Sequence, residues 1–311
     1  MLIVAKTGRE DIATVYIAKT ADGKKIEFVQ SLQPPVPIEK KWILIISSLY
    51  GCPVNCRFCD AGGDYKGILS KEDLLFQIDY LVKTRFQGIN IPVEKFKIQF
   101  ARVGEPVLNN NVLDVLEELP KIYNAPGLMP SISTVAPAGR EKFFERLLYI
   151  KQRLYKEKFQ MQFSVHSTEF TYREWLMPFK KWSFEEISEY GREFFKPGDR
   201  KITLNFALSS DVMINPDVLL KYFDPAGYLI KITPLNPTVK AFKNNLSSYI
   251  QQNKTDYELV SRLRNSGYDV IISFGEFEEN NIGSNCGQYI TNYEKSGVNP
   301  ENSYTYELER V

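Results

Sequence analysis

From residue 42 to residue 274, short apolar segments alternate with stretches whose apolar residues recur at helical spacing. Strands are predicted at 42–47, 96–101, 131–135, 160–165, 201–208, 229–233 and 269–274. Helices are predicted between them, and the first follows a capping-box pattern of Ser70 with Asp73. Repeated βα units with apolar strands predict an α/β fold, a partial (β/α)6-type barrel. Functional side chains of such a barrel lie at the C-terminal ends of its strands.

The first 40 residues have a different pattern. Strands are predicted at 12–18 and 25–29, with a turn at Asp22 and Gly23 between them, before several prolines break the chain. We therefore expect three parts: an N-terminal β appendage (1–40), the barrel (41–290) and a C-terminal tail (291–311).

Composition excludes several classes of protein. The 311 residues are 43% hydrophobic and 25% charged, which is ordinary globular usage and excludes disorder as the dominant state. The net charge of +1 excludes a polyanion binder that works by bulk charge. The sequence has no apolar run of membrane-spanning length and no signal-peptide core. A cytoplasmic protein without a membrane partner is expected.

Three of the four cysteines are close together, directly after the first predicted barrel strand. Cys52, Cys56 and Cys59 have C-x3-C-x2-C spacing. Three such thiolates can bind three irons of a [4Fe–4S] cluster and leave the fourth iron open. A zinc site usually needs a second cysteine pair or histidines, whereas His166 is the only histidine and Cys286 is distant. Zinc and three unligated buried thiols are the alternatives.

With Phe58 directly before the last of these cysteines, the motif resembles that of radical S-adenosylmethionine (SAM) enzymes. The resemblance implies a [4Fe–4S] cluster at Cys52, Cys56 and Cys59. It also implies that SAM binds the open iron. A reducing flavodoxin or ferredoxin-like donor would supply the electron that cleaves SAM to a 5′-deoxyadenosyl radical.

An ordered set of shorter motifs resembles the class A radical SAM RNA methylases, which methylate adenine. The motifs are Ser47-Ser48-Leu49-Tyr50-Gly51-Cys52, Val103-Gly104-Glu105-Pro106-Val107-Leu108-Asn109, Ser133-Thr134, Ser164-Val165-His166, Ile232-Thr233-Pro234-Leu235-Asn236-Pro237 and Asn285-Cys286-Gly287-Gln288. The resemblance implies that SAM contacts Phe58, Gly104, Glu105, Pro106, Ser133, Ser164, His166 and Asn236. It implies that Cys286 carries the methyl group.

Each motif alone has a simpler interpretation. Gly104-Glu105-Pro106 is a common turn sequence, and Ser133 and His166 fit polar residues at a barrel rim. Cys286 in isolation fits a small buried hydrophobe. The order of the motifs along the chain carries the resemblance.

The sequence also departs from the class A pattern. Those methylases have a second catalytic thiol seven residues before the first cluster cysteine, where this chain has Ile45. They also have an N-terminal helical RNA-binding domain, whereas about 40 residues precede the barrel here. Residues 269–311 contain eight acidic and two basic residues, net −6, which opposes phosphate binding. The basic run 140–158 is interpreted as the solvated face of an amphipathic helix.

We therefore expect a radical SAM enzyme that methylates an unsaturated carbon, in an RNA adenine or a smaller purine-like molecule, through Cys286. Affinity for naked RNA is expected to be weak and salt-sensitive. One alternative is a radical SAM rearrangement or oxidation without methyl transfer. Another is a non-catalytic Fe–S or RNA-binding protein.

Overall fold

The computed structural model describes residues 1–210, 212, 214–251, 254, 257–275, 278–285 and 304–311. The strands are β1 (Leu2–Arg9), β2 (Ala13–Lys19), β3 (Lys25–Ser31), β4 (Trp42–Ile46), β5 (Phe96–Phe100), β6 (Leu128–Thr134), β7 (Gln160–Ser164), β8 (Ile202–Leu208), β9 (Tyr228–Pro234), β10 (Asp269–Ile272) and β11 (Glu309–Arg310). The α-helices are α1 (Lys71–Phe86), α2 (Asn111–Ile122), α3 (Glu141–Ile150), α4 (Phe170–Leu176), α5 (Phe184–Phe194), α6 (Pro216–Tyr222), α7 (Val239–Lys243), α8 (Glu258–Asn265) and α9 (Glu278–Ile282).

All the strands of the described residues belong to one sheet, in the order β10-β9-β8-β7-β6-β5-β4-β3-β2-β1-β11. Strands β4 to β10 pair in parallel with their sequence neighbours. Ile45 of β4 and Ser273, just after β10, line the same pocket, so this parallel set curves around a lumen. The predicted α/β partial barrel is confirmed.

The N-terminal strands extend the barrel sheet. Strand β3 pairs antiparallel with β4, with Val29 opposite Ile45, and β2 and β1 follow in antiparallel order. Strand β1 was not predicted from the sequence. The boundaries of the three predicted parts stay predictions.

Alternation along β4 and β5 decides which face packs against the helices. Trp42, Leu44 and Ile46 are fully buried in the core between sheet and helices, as are the corresponding residues of β5. Ile45 and Gln99 point to the opposite face and line the lumen, because successive side chains of a strand alternate in direction.

Helix α1 begins as predicted. Ser70 accepts a hydrogen bond from the Asp73 amide at 3.0 Å, and the Asp73 carboxylate accepts one from the Ser70 amide, which completes the capping box. None of the described helices has the length and apolar character needed to cross a membrane.

The basic run 140–158 is only partly a solvated helix face. Helix α3 ends at Ile150, and a π-helical turn over Lys151–Tyr155 follows. Arg146 pairs with Asp114 at 2.7 Å and with Glu117 at 2.9 Å. The Lys151 side chain is buried against Asp199. The interpretation as a solvated face is wrong for Lys151, because this residue ties the turn to its neighbours.

Candidate active site

A pocket of about 330 Å³ lies at the C-terminal ends of the parallel strands. Its volume is within the range of small-molecule sites. The predicted site residues that line it are Cys52, Cys56, Phe58, Cys59, Gly104, Glu105, Ser133, Ser164, His166 and Asn236. Pro106 is buried next to the pocket, at the start of a 3-10 turn. Cys286 lies outside the described residues, and the residue bonded to it in the chain, Asn285, lines the pocket.

The loop that carries the three cysteines is held by the start of α7. The Asp60 carboxylate accepts hydrogen bonds from the Val239 and Lys240 amides at 3.0 and 2.9 Å. The Thr238 hydroxyl donates to the Phe58 carbonyl at 2.7 Å. Because the helix fixes the loop on both sides of Cys59, the thiols have a defined place in the pocket wall.

Burial makes two of these thiols, those of Cys52 and Cys56, weaker acids than usual. It raises the pKa of Cys52 to about 11. Burial, followed by the neighbouring Cys59 and Cys52, raises the pKa of Cys56 well above its usual value. A bound metal reverses this preference, because a thiol that coordinates a metal gives up its proton.

The three cysteines are a donor set that a [4Fe–4S] cluster can use. Within the described ranges, no group of three or more His, Cys, Asp or Glu side chains is placed to bind one metal ion. Cys52, Cys56 and Cys59 line one pocket, and in a [4Fe–4S] cluster each cysteine binds a different iron. Three thiolates on one loop would therefore suit a cluster with one open iron.

Gly104 lets the backbone after β5 pass close to the cysteine loop. It has a φ of +104°, and a Cβ there would lie 2.5 Å from the Leu49 Cβ and 2.8 Å from the Leu49 amide nitrogen. Both the left-handed conformation and the close approach require glycine.

Glu105 connects the ends of two strands. Its Oε1 accepts a hydrogen bond from the Val107 amide at 3.1 Å, and its Oε2 accepts one from the Val135 amide at 2.9 Å. Burial raises the pKa of this carboxyl to about 7. Each carboxylate oxygen has a second lone pair, so Glu105 can brace the loop and still accept from a ligand in the pocket.

His166 is buried in a strained conformation. It has a φ of +61°, and such strain is concentrated at functional sites. Its Nδ1 accepts a hydrogen bond from the Ala207 amide at 2.9 Å. Burial and the Arg173 cation lower the pKa of this imidazole to about 3. The ring is therefore neutral, and its proton is on Nε2. Phe58 packs edge-on against it at 5.0 Å between ring centroids.

Sequence reasoning missed the polar residues deeper in the lumen. Gln99, Gln162, Asn205 and Lys231 line the pocket from β5, β7, β8 and β9. They alternate with fully buried apolar residues such as Ile98. That alternation is the signal that could have revealed them.

The chain is similar in sequence to curated RNA methyltransferases. The chain is 24% identical over 298 residues to a probable dual-specificity RNA methyltransferase RlmN of Petrotoga mobilis, covering 93% of this chain and 78% of that protein. It is 26% identical over 290 residues to the ribosomal RNA large subunit methyltransferase N of Nitrosopumilus maritimus, covering 89% and 77%. No protein-family model matches the chain.

Among solved structures, a radical SAM methyltransferase from Sphaerobacter thermophilus has the same fold, with a TM-score of 0.66. The match covers 92% of this chain and 80% of that one at 19% identity. The predicted resemblance to the radical SAM superfamily and its class A RNA methylases is confirmed, and these similarities support an enzyme with methyltransferase-like activity.

Proposed function

We propose that this enzyme methylates an unsaturated carbon and that Cys286 carries the methyl group. The observation that supports the proposal most directly is the convergence on one pocket of motifs from five separate strand ends and of Asn285, the residue bonded to Cys286. If each motif had only a structural role, the motifs would not need to line the same pocket.

Cys52, Cys56 and Cys59 would hold a [4Fe–4S] cluster, with SAM at its open iron. When bound, the cluster and SAM supply the 5′-deoxyadenosyl radical, after reduction by a flavodoxin or ferredoxin-like donor. The pocket residues that we assign to SAM are Phe58, Gly104, Glu105, Pro106, Ser133, Ser164, His166 and Asn236.

The described side chains have distinct tasks in this proposal. Gly104 lets the backbone after β5 pack closely against Leu49 beside the cysteine loop, and Glu105 offers a carboxylate for the amino group of SAM. The neutral His166 presents an N–H donor at Nε2, and Phe58 packs against its ring. Pro106 starts the 3-10 turn that orients Glu105.

We propose an adenine as the acceptor, either in RNA or in a purine-like small molecule. RNA is supported by the two relatives, which are RNA methyltransferases by name. The acidic segment 269–311 favours the smaller acceptor. Salt-resistant, submicromolar binding to a defined rRNA hairpin would decide for RNA, and weak binding that collapses with salt would decide for the small molecule.

Anaerobic incubation of the reconstituted enzyme with SAM and dithionite, followed by intact-mass analysis, tests the methyl carrier. We expect S-adenosylhomocysteine and a mass gain of one CH2 group on Cys286. The Cys286→Ala variant should keep its iron and lose the mass gain. A variant with all three cluster cysteines replaced by alanine should lose its iron, about four atoms per chain, and all 5′-deoxyadenosine.

A different outcome would support the alternative without methyl transfer. In that case the wild type forms 5′-deoxyadenosine without any adduct, and Cys286→Ala is fully active. Cys286 would then donate hydrogen or bind substrate, and the reaction would be a rearrangement or oxidation.

A further inference from the structure

A second cavity, of about 450 Å³, lies at the opposite end of the barrel, where the parallel strands begin. Six cationic residues line it: Lys41, Lys95, Lys97, Arg200, Lys201 and Lys231. Asp269 is the one carboxylate among the described residues that line it. Four of the cations directly precede β4, β5 or β8, so the parallel strands bring them to one edge of the sheet.

Most of this positive charge has no compensating carboxylate. Lys201 pairs with Asp269 at 2.6 Å, and Lys41 donates to the amide oxygen of Gln33. Throughout the described part of the chain, no ion pair is formed by Lys95, Lys97 or Arg200.

The cations also destabilise one another. Burial lowers the pKa of Lys97 well below its usual value, and Lys231 and Lys95 add to the effect. The pKa of Lys95 is lowered by burial and by Arg200. Placing several cations together without a counter-ion costs free energy, and a bound anion would offset that cost.

The positive charge of the cavity limits the classes of ligand that it can bind. SAM carries a cationic sulfonium and is repelled here. Clustered lysines act as point charges that suit phosphate, and a multiply charged anion matches several unpaired cations better than a single carboxylate does. The volume is that of a small-molecule site.

Two lysines lie inside the lumen, and their position favours a small anion over a nucleic-acid backbone as the ligand. Lys97 is the second residue of β5 and Lys231 the fourth residue of β9, and Lys231 also lines the pocket of the three cysteines. A polynucleotide at the rim would contact Lys41, Lys95 and Arg200, whereas a small anion can enter the lumen.

We propose that the N-terminal end of the barrel binds a small, multiply charged phosphate compound, either free pyrophosphate or the polyphosphate chain of a nucleotide. The ligand contacts Lys95 and Arg200 at the rim and Lys97 inside the lumen. This proposal is independent of the methyl transfer proposed above.

Isothermal titration of the full reconstituted chain with pyrophosphate tests the site. We expect one site per chain, weakened about tenfold or more in Lys95→Gln/Arg200→Gln, because charge-assisted hydrogen bonds are lost. Lys97→Met should also weaken binding while remaining folded, because it removes an unpaired charge and keeps the side-chain length. The control Lys142→Gln/Lys180→Gln removes the same charge from two exposed lysines elsewhere and should bind like wild type.

Titration with ATP in parallel distinguishes the two sources of phosphate. Tighter binding of ATP assigns a nucleotide, and tighter binding of pyrophosphate assigns the free anion. The proposal is overturned if wild type does not bind either probe, or if the control variant weakens as much as Lys95→Gln/Arg200→Gln. It is also overturned if an RNA oligonucleotide displaces pyrophosphate and binds Lys97→Met as tightly as wild type.

Discussion

Arg102 and Glu27 form an ion pair with an N–O distance of 2.7 Å, and their side chains are only 1% and 0% exposed. Arg102 also donates to the carbonyls of Gly283 and Ser284 at 2.7 and 2.8 Å. One guanidinium therefore ties β3 and the end of β5 to the segment that leads through Asn285 to Cys286. Arg102 therefore connects the loop of Gly104 and Glu105 to the segment that precedes the proposed methyl carrier.

Glu27→Gln should lower the free energy of unfolding by about 3–5 kcal/mol, because it leaves the buried Arg102 cation without its counter-charge. Urea denaturation of the purified chain measures the change. The matched control is Glu309→Gln, which removes a carboxylate from an exposed pair with Lys6 at 3.3 Å and should cost about 1 kcal/mol or less. Equal losses in the two variants would show that burial of the Arg102 pair has no special role.

Gly104→Ala should reduce the affinity for SAM about tenfold or more. Alanine at this positive φ strains the loop by about 1–3 kcal/mol, and only a movement of the loop relieves the strain. Equilibrium binding of SAM to the reconstituted enzyme measures this. Gly139 is the control: its φ is also positive, at +77°, and no atom lies within 4 Å of an added Cβ. Gly139→Ala should bind SAM normally. If Gly104→Ala bound SAM as tightly as wild type does, Gly104 would not be part of the SAM site.

Lys97→Met should stabilise the protein at neutral pH by about 1 kcal/mol or more, because it removes an uncompensated, partly buried charge. The folded-state pKa of Lys97 is well below 10.5, so the folded state binds its proton less tightly than the unfolded chain does. Stability of the wild type should therefore rise as the pH increases from the folded pKa towards 10.5.

Lys97→Met should lose part of that rise, which denaturation curves at several pH values will show. The charged groups that lower the pKa of Lys97 are Lys231, Lys95, Lys41 and Arg200, and Lys201 and Asp269, which pair with each other, line the same cavity. Lys142→Gln, at an exposed position, should leave the pH profile unchanged. If Lys97→Met were destabilised and its stability depended on pH as in wild type, Lys97 could not be a lysine without an ion-pair partner.

How much of the site could be predicted depends on how far apart its residues lie in the sequence. Cys52, Cys56 and Cys59 lie in one loop, and their spacing alone indicates their chemistry. Strand ends of a parallel sheet meet at one edge, so Glu105 and His166 could be placed in the same pocket.

Long-range partners could not be predicted in this way. Arg102 and Ser284 are 182 residues apart in the sequence, and no local pattern links them. The basic cavity was missed for the same reason, since its cations are scattered over several strands. By contrast, part of the conspicuous basic run 140–158 is used within the fold, because Arg146 forms ion pairs with Asp114 and Glu117.

Ile45 lies in the wall of the pocket that contains the three cysteines. On β4 it is opposite Gln99 of β5 and Val29 of β3, so its backbone is fixed within the sheet. The class A methylases that the chain resembles have a thiol at this spacing. The alkyl side chain of Ile45 can neither take a proton nor form a disulfide with Cys286.

Ile45→Cys should therefore release methylated product about tenfold faster or more, because a thiolate at this position can accept the proton whose removal precedes cleavage of the C–S bond between the product and Cys286. Single-turnover assays without added thiol, with mass analysis of the protein, measure both free product and covalent adduct. We expect wild type to accumulate the adduct and Ile45→Cys to clear it. Ile45→Ser is the matched control, since serine is nearly as small as cysteine but has no thiol; it should stall like wild type. If wild type turns over many times without external thiol and Cys286→Ala is equally active, Cys286 is not the methyl carrier, and Ile45 marks an enzyme with different radical chemistry.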